Sequence, residues 1–209
     1  MWLEQGRRSA ARALVSTFPP VPQMTVDRNW LSTTCILAEV TSELGDRRRA
    51  QELQSALLPF ADRVVTIGLG VTCWGVVARS LALTAVALGD RELAVAHYRK
   101  AMEVAGRVGA HPWLAEIQWE LAELLGQTGR KPDLEEALVL AEEAVATGRA
   151  VYLHRIEQEA SRVLEALRRS AAGEQTLETG GEDENVGHPQ LTEVDVELAS
   201  RLRPRITVL

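Results

Sequence analysis

The sequence has few aromatic residues, few cysteines and no long apolar run. Phenylalanine, tryptophan and tyrosine together make up only 4% of its 209 residues, whereas 46% of the residues are hydrophobic. Alanine and leucine supply most of that apolar fraction. Because β-sheets favour aromatic and β-branched side chains, this composition favours closely packed helices.

Two cysteines, Cys35 and Cys73, are too few for a disulfide framework or a zinc site. We expect both to be buried free thiols on helices, as is usual in a reducing compartment. The N-terminal segment is interrupted by charges and has no apolar signal core. The longest uncharged run, 64–78, is shorter than the roughly 18 residues that suggest a membrane span. These features predict a cytoplasmic protein that does not enter a membrane.

A basic surplus is also missing, since the formal net charge is −6. Residues 173–209 carry eight acidic and three basic side chains, so most of the negative charge lies at the C-terminus. The chain therefore has no basic face of the kind that binds nucleic acid. The acidic, glycine-containing composition after residue 172 predicts a disordered tail, with a short amphipathic helix at 191–202 as an open alternative.

What the sequence does contain is an internal repeat. The segment LAEVTSELGDRRRA, residues 37–50, aligns with LALTAVALGDRELA, residues 81–94, at a spacing of 44. A third copy begins at Leu121 and takes three extra residues near Pro132. A fixed period in the range of about 20 to 50 residues indicates a stacked repeat architecture.

Capping residues and helical periodicity divide the chain into about eight helices. Asp46 and Asp90 are typical N-caps, and Gly45 and Gly89 are typical helix ends. We therefore predict an all-α, right-handed superhelical array of antiparallel helix pairs over residues 1–172, with a concave groove. The predicted helices are approximately 2–18, 28–44, 47–61, 71–88, 91–108, 112–127, 133–148 and 151–171.

The hairpin from 75 to 105 resembles a tetratricopeptide repeat. That motif has a large–small pair on its first helix, here Leu81-Ala82, and a small–aromatic–small triplet on its second, here Ala94, Tyr98 and Ala101. The copy at 31–57 diverges, since Gln54 and Leu57 replace the aromatic and the alanine.

A second resemblance covers about residues 25–168, through segments such as DRNWLSTTCILAEV, GLGVTCWGVVARSL and ALVLAEEAVATGR. In this order they are similar to the C-terminal helical-repeat region of actinobacterial-type LuxR/MalT-like ATP-binding regulators and ATPase-linked nucleotide cyclases. The resemblance implies a sensor or interaction region of a signalling or transcription-regulatory protein, present here as a fragment or a stand-alone relative of that repeat region. The chain has no phosphate-binding loop, cyclase segment or helix-turn-helix, so the family's catalytic and DNA-binding activities are not implied.

Tryptophans and charged residues are the candidates for a partner-binding groove. Trp30 and Trp74 occupy matched repeat positions and are predicted to lie in the core. Tryptophan is frequent at binding hot spots, and Trp113 follows a predicted helix start. The candidate groove residues are Trp113, Trp119, Glu116, Glu120, Arg47 and Arg48. For the glutamates at 116, 120 and 123 and the arginines at 47–49, a solvated helix face is the favoured alternative.

Catalytic, metal and cofactor sites find little support. The glycines at 68, 70 and 75 follow no strand and precede no lysine, which favours inter-helix packing over a phosphate site. No two of the four histidines are spaced i, i+4 as helical metal ligands. We therefore expect a non-catalytic interaction or sensor module without cofactor or metal, which binds a protein or peptide. A small effector and self-association stay open, a stand-alone adaptor is the alternative, and an enzyme is a distant third.

Overall fold

The computed structural model describes residues 8–67, 70 and 72–179, with side chains described as far as Ala172. The predicted helix at 191–202 lies outside these residues. The described part contains eight α-helices: α1 (Arg8–Ser16), α2 (Trp30–Leu44), α3 (Arg47–Leu57), α4 (Val77–Leu88), α5 (Arg91–Arg107), α6 (His111–Gly126), α7 (Lys131–Ala150) and α8 (His154–Thr179). Helix α8 continues seven residues beyond the predicted boundary at 172.

Helix ends follow the predicted capping residues. The Asp46 carboxylate accepts a hydrogen bond from Arg49 N–H at 3.1 Å, and the Asp90 carboxylate accepts one from Leu93 N–H at 3.0 Å. Gly45 and Gly89 end α2 and α4 in the left-handed conformation that favours glycine. The two matched Leu-Gly-Asp segments therefore form equivalent turns, as the repeat predicts.

Consecutive helices from α1 to α8 all pack against one another. A β-hairpin is inserted in the chain between α3 and α4. Short connections reverse the chain after α5 and α7, and the β-hairpin returns it after α3, so each of these helices ends near the start of the next one. Val77 and His111, the first residues of α4 and α6, are 34 positions apart, the length of a tetratricopeptide repeat. The right-handed superhelix stays a prediction.

The predicted array of helices is confirmed, but the predicted start of the fourth helix is wrong. Residues 72–76, assigned to the fourth helix, form a strand, β2 (Thr72–Val76), which pairs antiparallel with β1 (Val64–Ile67). Val77 N–H donates to Arg63 O at 3.0 Å, so the hairpin returns α4 to the end of the preceding segment. The physical reason is local: β1 is made of the β-branched residues Val-Val-Thr-Ile, which favour extended backbone.

Two apolar cores meet at α4. The N-terminal core contains side chains of α1, α2 and α3, and Val77 and Leu81 of α4 complete it. The C-terminal core contains side chains of α5 to α8, and Ala78 and Ala82 of α4 complete it. Since these pairs lie on different faces of one helix, α4 holds the two halves of the array together.

Candidate functional site

A buried ionic cluster crosses the middle of the array. Arg79 of α4 donates Nε–H to Glu120 Oε2 at 2.9 Å and Nη2–H to Glu120 Oε1 at 2.5 Å, which is a bidentate pair with α6. Its Nη1 donates to Glu39 Oε1 of α2 at 2.6 Å. All three side chains are buried. Charge-assisted bidentate pairs are among the stronger hydrogen bonds in proteins, so Arg79 fixes the spacing of three even-numbered helices.

Glu116, one turn before Glu120, extends the cluster to α8. Its Oε1 lies 3.7 Å from Arg79 Nη2, and its Oε2 accepts a hydrogen bond from Arg155 Nη2 at 2.5 Å. Burial, together with the charges of Glu116 and Glu39, raises the pKa of Glu120 to about 7 against the opposing effect of Arg79. The three carboxylates and two guanidinium groups leave one negative charge in excess when all are ionised.

An aromatic pair caps this cluster. Trp74 and Trp113 have ring centroids 6.3 Å apart at an interplanar angle of 48°, and the Arg79 guanidinium lies 5.7 Å from the Trp113 ring centroid. Trp74 is the unpaired residue of a β-bulge, because Val65 pairs with Gly75 and Thr66 with Cys73. A bulge bends its strand and redirects a side chain, which here brings Trp74 to Trp113.

Gly75 allows the close approach of Trp113. Its φ is +116°, and a Cβ at this position would lie 3.0 Å from Trp113 Cε3. Gly75 therefore packs strand β2 against α6, and not one helix against another as the sequence interpretation expected.

A second polar bridge joins three helices near the first. Gln54 Nε2 of α3 lies 2.9 Å from His97 Nε2 of α5, and Thr84 Oγ1 of α4 donates to Gln54 Oε1. All three side chains are buried. Burial lowers the pKa of His97, which favours the neutral ring that can accept the Gln54 amide hydrogen. Gln54 departs from the repeat motif because it forms this bridge.

The predicted groove residues do not line an open groove. Trp119, Glu116 and Glu120 are buried, and Trp113 is half-buried against Trp74. The interpretation of the glutamates at 116 and 120 as a solvated stripe is wrong, because both pair with buried or half-buried arginines. Every residue of α4 from Val77 to Ala85 is buried, so this stretch of α4 does not line an open groove.

The three consecutive arginines of α3 separate into two groups. Arg47 and Arg48 are exposed, and Arg48 pairs with Glu52 at 3.0 Å on the same helix. Arg49 is buried, and its guanidinium donates to Phe18 O at 3.1 Å and to Pro19 O at 3.2 Å. The structure therefore does not bring Arg47 and Arg48 to the tryptophans of α6.

Sequence reasoning missed Arg79 and Glu39, although a signal for both was present. Each is a single charge within an apolar stretch of a helix, in VVARSLAL and ILAEV. Charged residues that are flanked by apolar neighbours on a buried helix require partners of opposite charge. That pattern would have indicated a buried ion pair between α2 and α4.

Exposed apolar side chains mark one edge of the array. Leu58, Val108 and Val151 directly follow α3, α5 and α7, and they are 54%, 50% and 41% exposed. These three helix ends lie on the same side of the stack. We call this row, together with the neighbouring Tyr152, the apolar edge.

Tyr152 combines strain with exposure. Among the described residues it is the one non-glycine residue with a positive φ, +56°. Its turn follows α7, and the equivalent turns after α2, α4 and α5 have a glycine at this position, Gly45, Gly89 and Gly109. The same backbone bond closes all four turns; here Leu153 N–H donates to Gly148 O at 2.8 Å. A left-handed non-glycine residue costs about 1–2 kcal/mol, yet the Tyr152 side chain is 83% exposed. Packing within the chain does not offset that cost.

The two cysteine thiols differ in their exposure to solvent. Cys35 is buried, and burial raises its pKa to about 12, which makes it a poor nucleophile. Cys73 lies exposed on β2, so the prediction of a second buried helical thiol is wrong. Among the described residues, no group of three His, Cys, Asp or Glu side chains is placed to hold a metal ion.

Comparison with known proteins adds one structural likeness. No family model matches the chain, and no curated protein matches it. The chain is similar to the crystal structure of BtubC (BKLC) from P. vanneervenii, with 17% sequence identity over 90% of this chain and 79% of that chain, at a TM-score of 0.43. Within the described residues, no helix is both long and apolar enough to cross a membrane. What the chain does must therefore be inferred from its own geometry.

Proposed function

We propose that this chain is a non-catalytic protein-interaction module that binds a protein partner along the apolar edge. The observation that carries the proposal is Tyr152, an exposed aromatic residue held in a backbone conformation that costs free energy. Strained residues persist where function requires them, and tyrosine is a frequent hot spot of protein interfaces. The predicted groove residues of α6 offer no comparable surface, because Glu116, Trp119 and Glu120 are buried and Trp113 is half-buried.

The finer proposal places the module in a cytoplasmic signalling or transcription-regulatory pathway. Its support is the sequence resemblance to the sensor region of LuxR/MalT-like regulators, over about residues 25–168. In this role the chain neither binds nor hydrolyses ATP. Saturable micromolar ATP binding by the purified chain would contradict it, and an adjacent reading frame for an ATPase or DNA-binding domain would support it.

The edge itself is tested with two matched triple variants used as affinity baits. Val108→Ser, Val151→Ser and Tyr152→Ser remove apolar side chains from the edge, whereas Leu14→Ser, Val26→Ser and Val139→Ser remove exposed apolar side chains elsewhere. Quantitative mass spectrometry of proteins captured from the native cells compares both with the original chain. We expect a partner that the original chain and the second variant retain and the edge variant loses. Equal capture by all three baits would overturn the assignment of this edge.

A further inference from the structure

The apolar edge lies within turns that carry a basic surplus. Residues 58–63, 107–111 and 149–155 contain four arginines and one aspartate, a balance of +3 in a chain whose net charge is −6. Arg155 is held by the buried Glu116, whereas the arginines at 63, 107 and 149 are exposed. Since interfaces pair charges of opposite sign, a segment that fits this edge needs carboxylates beside aliphatic side chains.

The arginines of the edge are accessible to such a segment. Arg107 lies 3.5 Å from Glu103, and Arg149 lies 3.0 Å from Glu157, yet the two arginine side chains are 55% and 71% exposed. Exposed ion pairs contribute little to stability. Each arginine can therefore exchange its present carboxylate for one from an incoming segment.

The chain itself contains a segment of this composition. Residues 191–198, LTEVDVEL, which lie outside the described residues, contain three acidic side chains and no basic one, a balance of −3. The carboxylates at 193, 195 and 197 alternate with aliphatic side chains at 194, 196 and 198. The charge and the apolar side chains that the edge requires are therefore present within one short segment.

The length of chain after α8 lets this segment reach the edge. Helix α8 begins at His154, next to the edge, and its 26 residues carry the chain about 38 Å away at the usual rise of about 1.5 Å per residue. From Thr179 to Val194 the chain spans at most about 50 Å. The connection is therefore long enough to return along α8 and bring Val194 to the apolar edge.

We propose that residues 191–198 bind the apolar edge of the same chain, so that the chain covers its own partner-binding surface until a protein partner displaces them. Their aliphatic side chains contact Val151 and the ring of Tyr152. Their carboxylates pair with Arg107 and Arg149. The regulatory meaning of this contact rests on the proposed binding role of the edge, whereas the contact itself needs the chain alone. Because segment and surface are tethered, the contact does not depend on protein concentration.

A paramagnetic label tests the contact in the full chain. A nitroxide is attached at Ser200→Cys, shortly after the segment, in a Cys73→Ser background that leaves the buried Cys35 in place. The label weakens the amide NMR signals of nearby residues. We expect the signals of residues 107–111 and 149–153 to lose intensity relative to the same sample with a reduced label.

The opposite edge of the array gives the internal reference. Gly89 and Gly129 follow α4 and α6 there, on the side toward which α8 runs. A segment that stays near the end of α8 would weaken the signals of these glycines and leave those of the apolar edge unchanged. That pattern would overturn the proposal.

Two variants with the same change in charge separate the segment from the rest of the acidic region. The segment variant carries Glu193→Gln, Asp195→Asn and Glu197→Gln, and the control variant carries Glu182→Gln, Asp183→Asn and Glu184→Gln. We expect the edge signals to recover in the segment variant and to stay weakened in the control. Recovery in both variants, or in neither, would overturn the assignment of residues 191–198.

Dilution separates this contact from one between two copies of the chain. We expect the loss of intensity at the edge to be the same at high and low protein concentration. A loss that disappears on dilution would assign the contact to a second copy and would overturn the proposal. The label reports on the purified chain, whereas the bait experiment reports on capture from cells. An absent contact therefore leaves the proposed partner surface standing, and a failed capture leaves the contact standing.

Discussion

The buried residues of the N-terminal core are mostly leucine and valine, whereas the C-terminal core is rich in alanine, and the β-hairpin contributes to both. Buried alanines of the C-terminal core lie on α4 to α8, among them Ala94, Ala101, Ala122 and Ala141. The N-terminal core instead contains larger residues such as Leu37, Leu53 and Val65. Small side chains let helix axes approach closely, so the C-terminal half keeps the regular repeat. The N-terminal half instead packs larger side chains, and the β-hairpin is inserted after its last helix.

The joint between these two cores should be the most sensitive point of the fold. Arg79→Met leaves three carboxylates buried around an apolar side chain, so we expect a loss of about 3–5 kcal/mol in unfolding free energy. Urea unfolding at pH 8 measures it. Arg99→Met, which removes an exposed arginine of α5, serves as the control and should change stability by less than about 0.5 kcal/mol.

The stability of the joint should depend on pH in a definite direction. Because the pKa of Glu120 rises from 4.5 to about 7 on folding, the folded chain holds a proton between these values that the unfolded chain has released. This contribution stabilises the folded chain below about pH 5 and is lost as the pH rises through 7. We expect the original chain to lose roughly 2 kcal/mol relative to Glu120→Gln between pH 5 and pH 8. Unfolding curves of the original chain and of Glu120→Gln are measured at each pH. If Glu120 had an ordinary pKa, the difference in unfolding free energy between the two would be the same at pH 5 and pH 8.

The two halves of the array should differ in how far a larger side chain destabilises them. Ala94→Leu inserts a larger side chain at a fully buried contact of the C-terminal core, so we expect a loss of about 1–3 kcal/mol. Ala50→Leu makes the same change at the matched position of the first repeat, and we expect a smaller loss there. Thermal unfolding of both variants measures the difference. A larger loss for Ala50→Leu would reverse the comparison, and an unchanged melting temperature for Ala94→Leu would count against the repeat assignment.

The stability of the chain should depend on Gly75 of the β-hairpin. Gly75→Ala combines a positive φ with a Cβ placed 3.0 Å from Trp113, so we expect a loss of about 1–3 kcal/mol. Gly70→Ala also has a positive φ but meets no atom within 4 Å, which makes it the matched control for strain alone. Equal losses in calorimetry would mean that the tryptophan contact contributes nothing.

The smallest expected effect is a gain in stability. Tyr152→Gly places the preferred residue in a left-handed helix end, so we expect the unfolding free energy to rise by up to about 1 kcal/mol. The same change should weaken partner capture, since it removes the exposed ring. A fall in melting temperature would show that Tyr152 stabilises the chain by itself and would remove the argument for a functional role.

The sequence predicted the helices of the described part well because their signals are local. Asp46 and Asp90 cap helices, and Gly45 and Gly89 end them, whatever the rest of the chain does. The burial of Trp30, predicted from its position in the repeat, is confirmed. The matched tryptophan at 74 misled the prediction, because the β-branched segment 64–67 needed a pairing partner and drew residues 72–76 into a strand.

The candidate site was harder to predict because it depends on contacts between distant residues. Glu120 looks solvated in its own helix, and only the approach of Arg79, 41 positions earlier, explains its burial. The strain at Tyr152 is also invisible in the sequence, since it follows from the backbone of one helix end. Trp113 was predicted to line a partner-binding groove, and in the structure it contacts Trp74 and Arg79 of the same chain.

A double-mutant cycle on Arg79 and Glu120 tests the central claim that buried ionic bridges join the two cores. The unfolding free energies of the original chain, Arg79→Met, Glu120→Gln and the double variant are compared by urea titration at pH 8. The account predicts a coupling free energy of about 1–3 kcal/mol, with the double variant more stable than the sum of the single losses implies. A coupling within about 0.3 kcal/mol of zero would contradict the account, because the two side chains would then act independently.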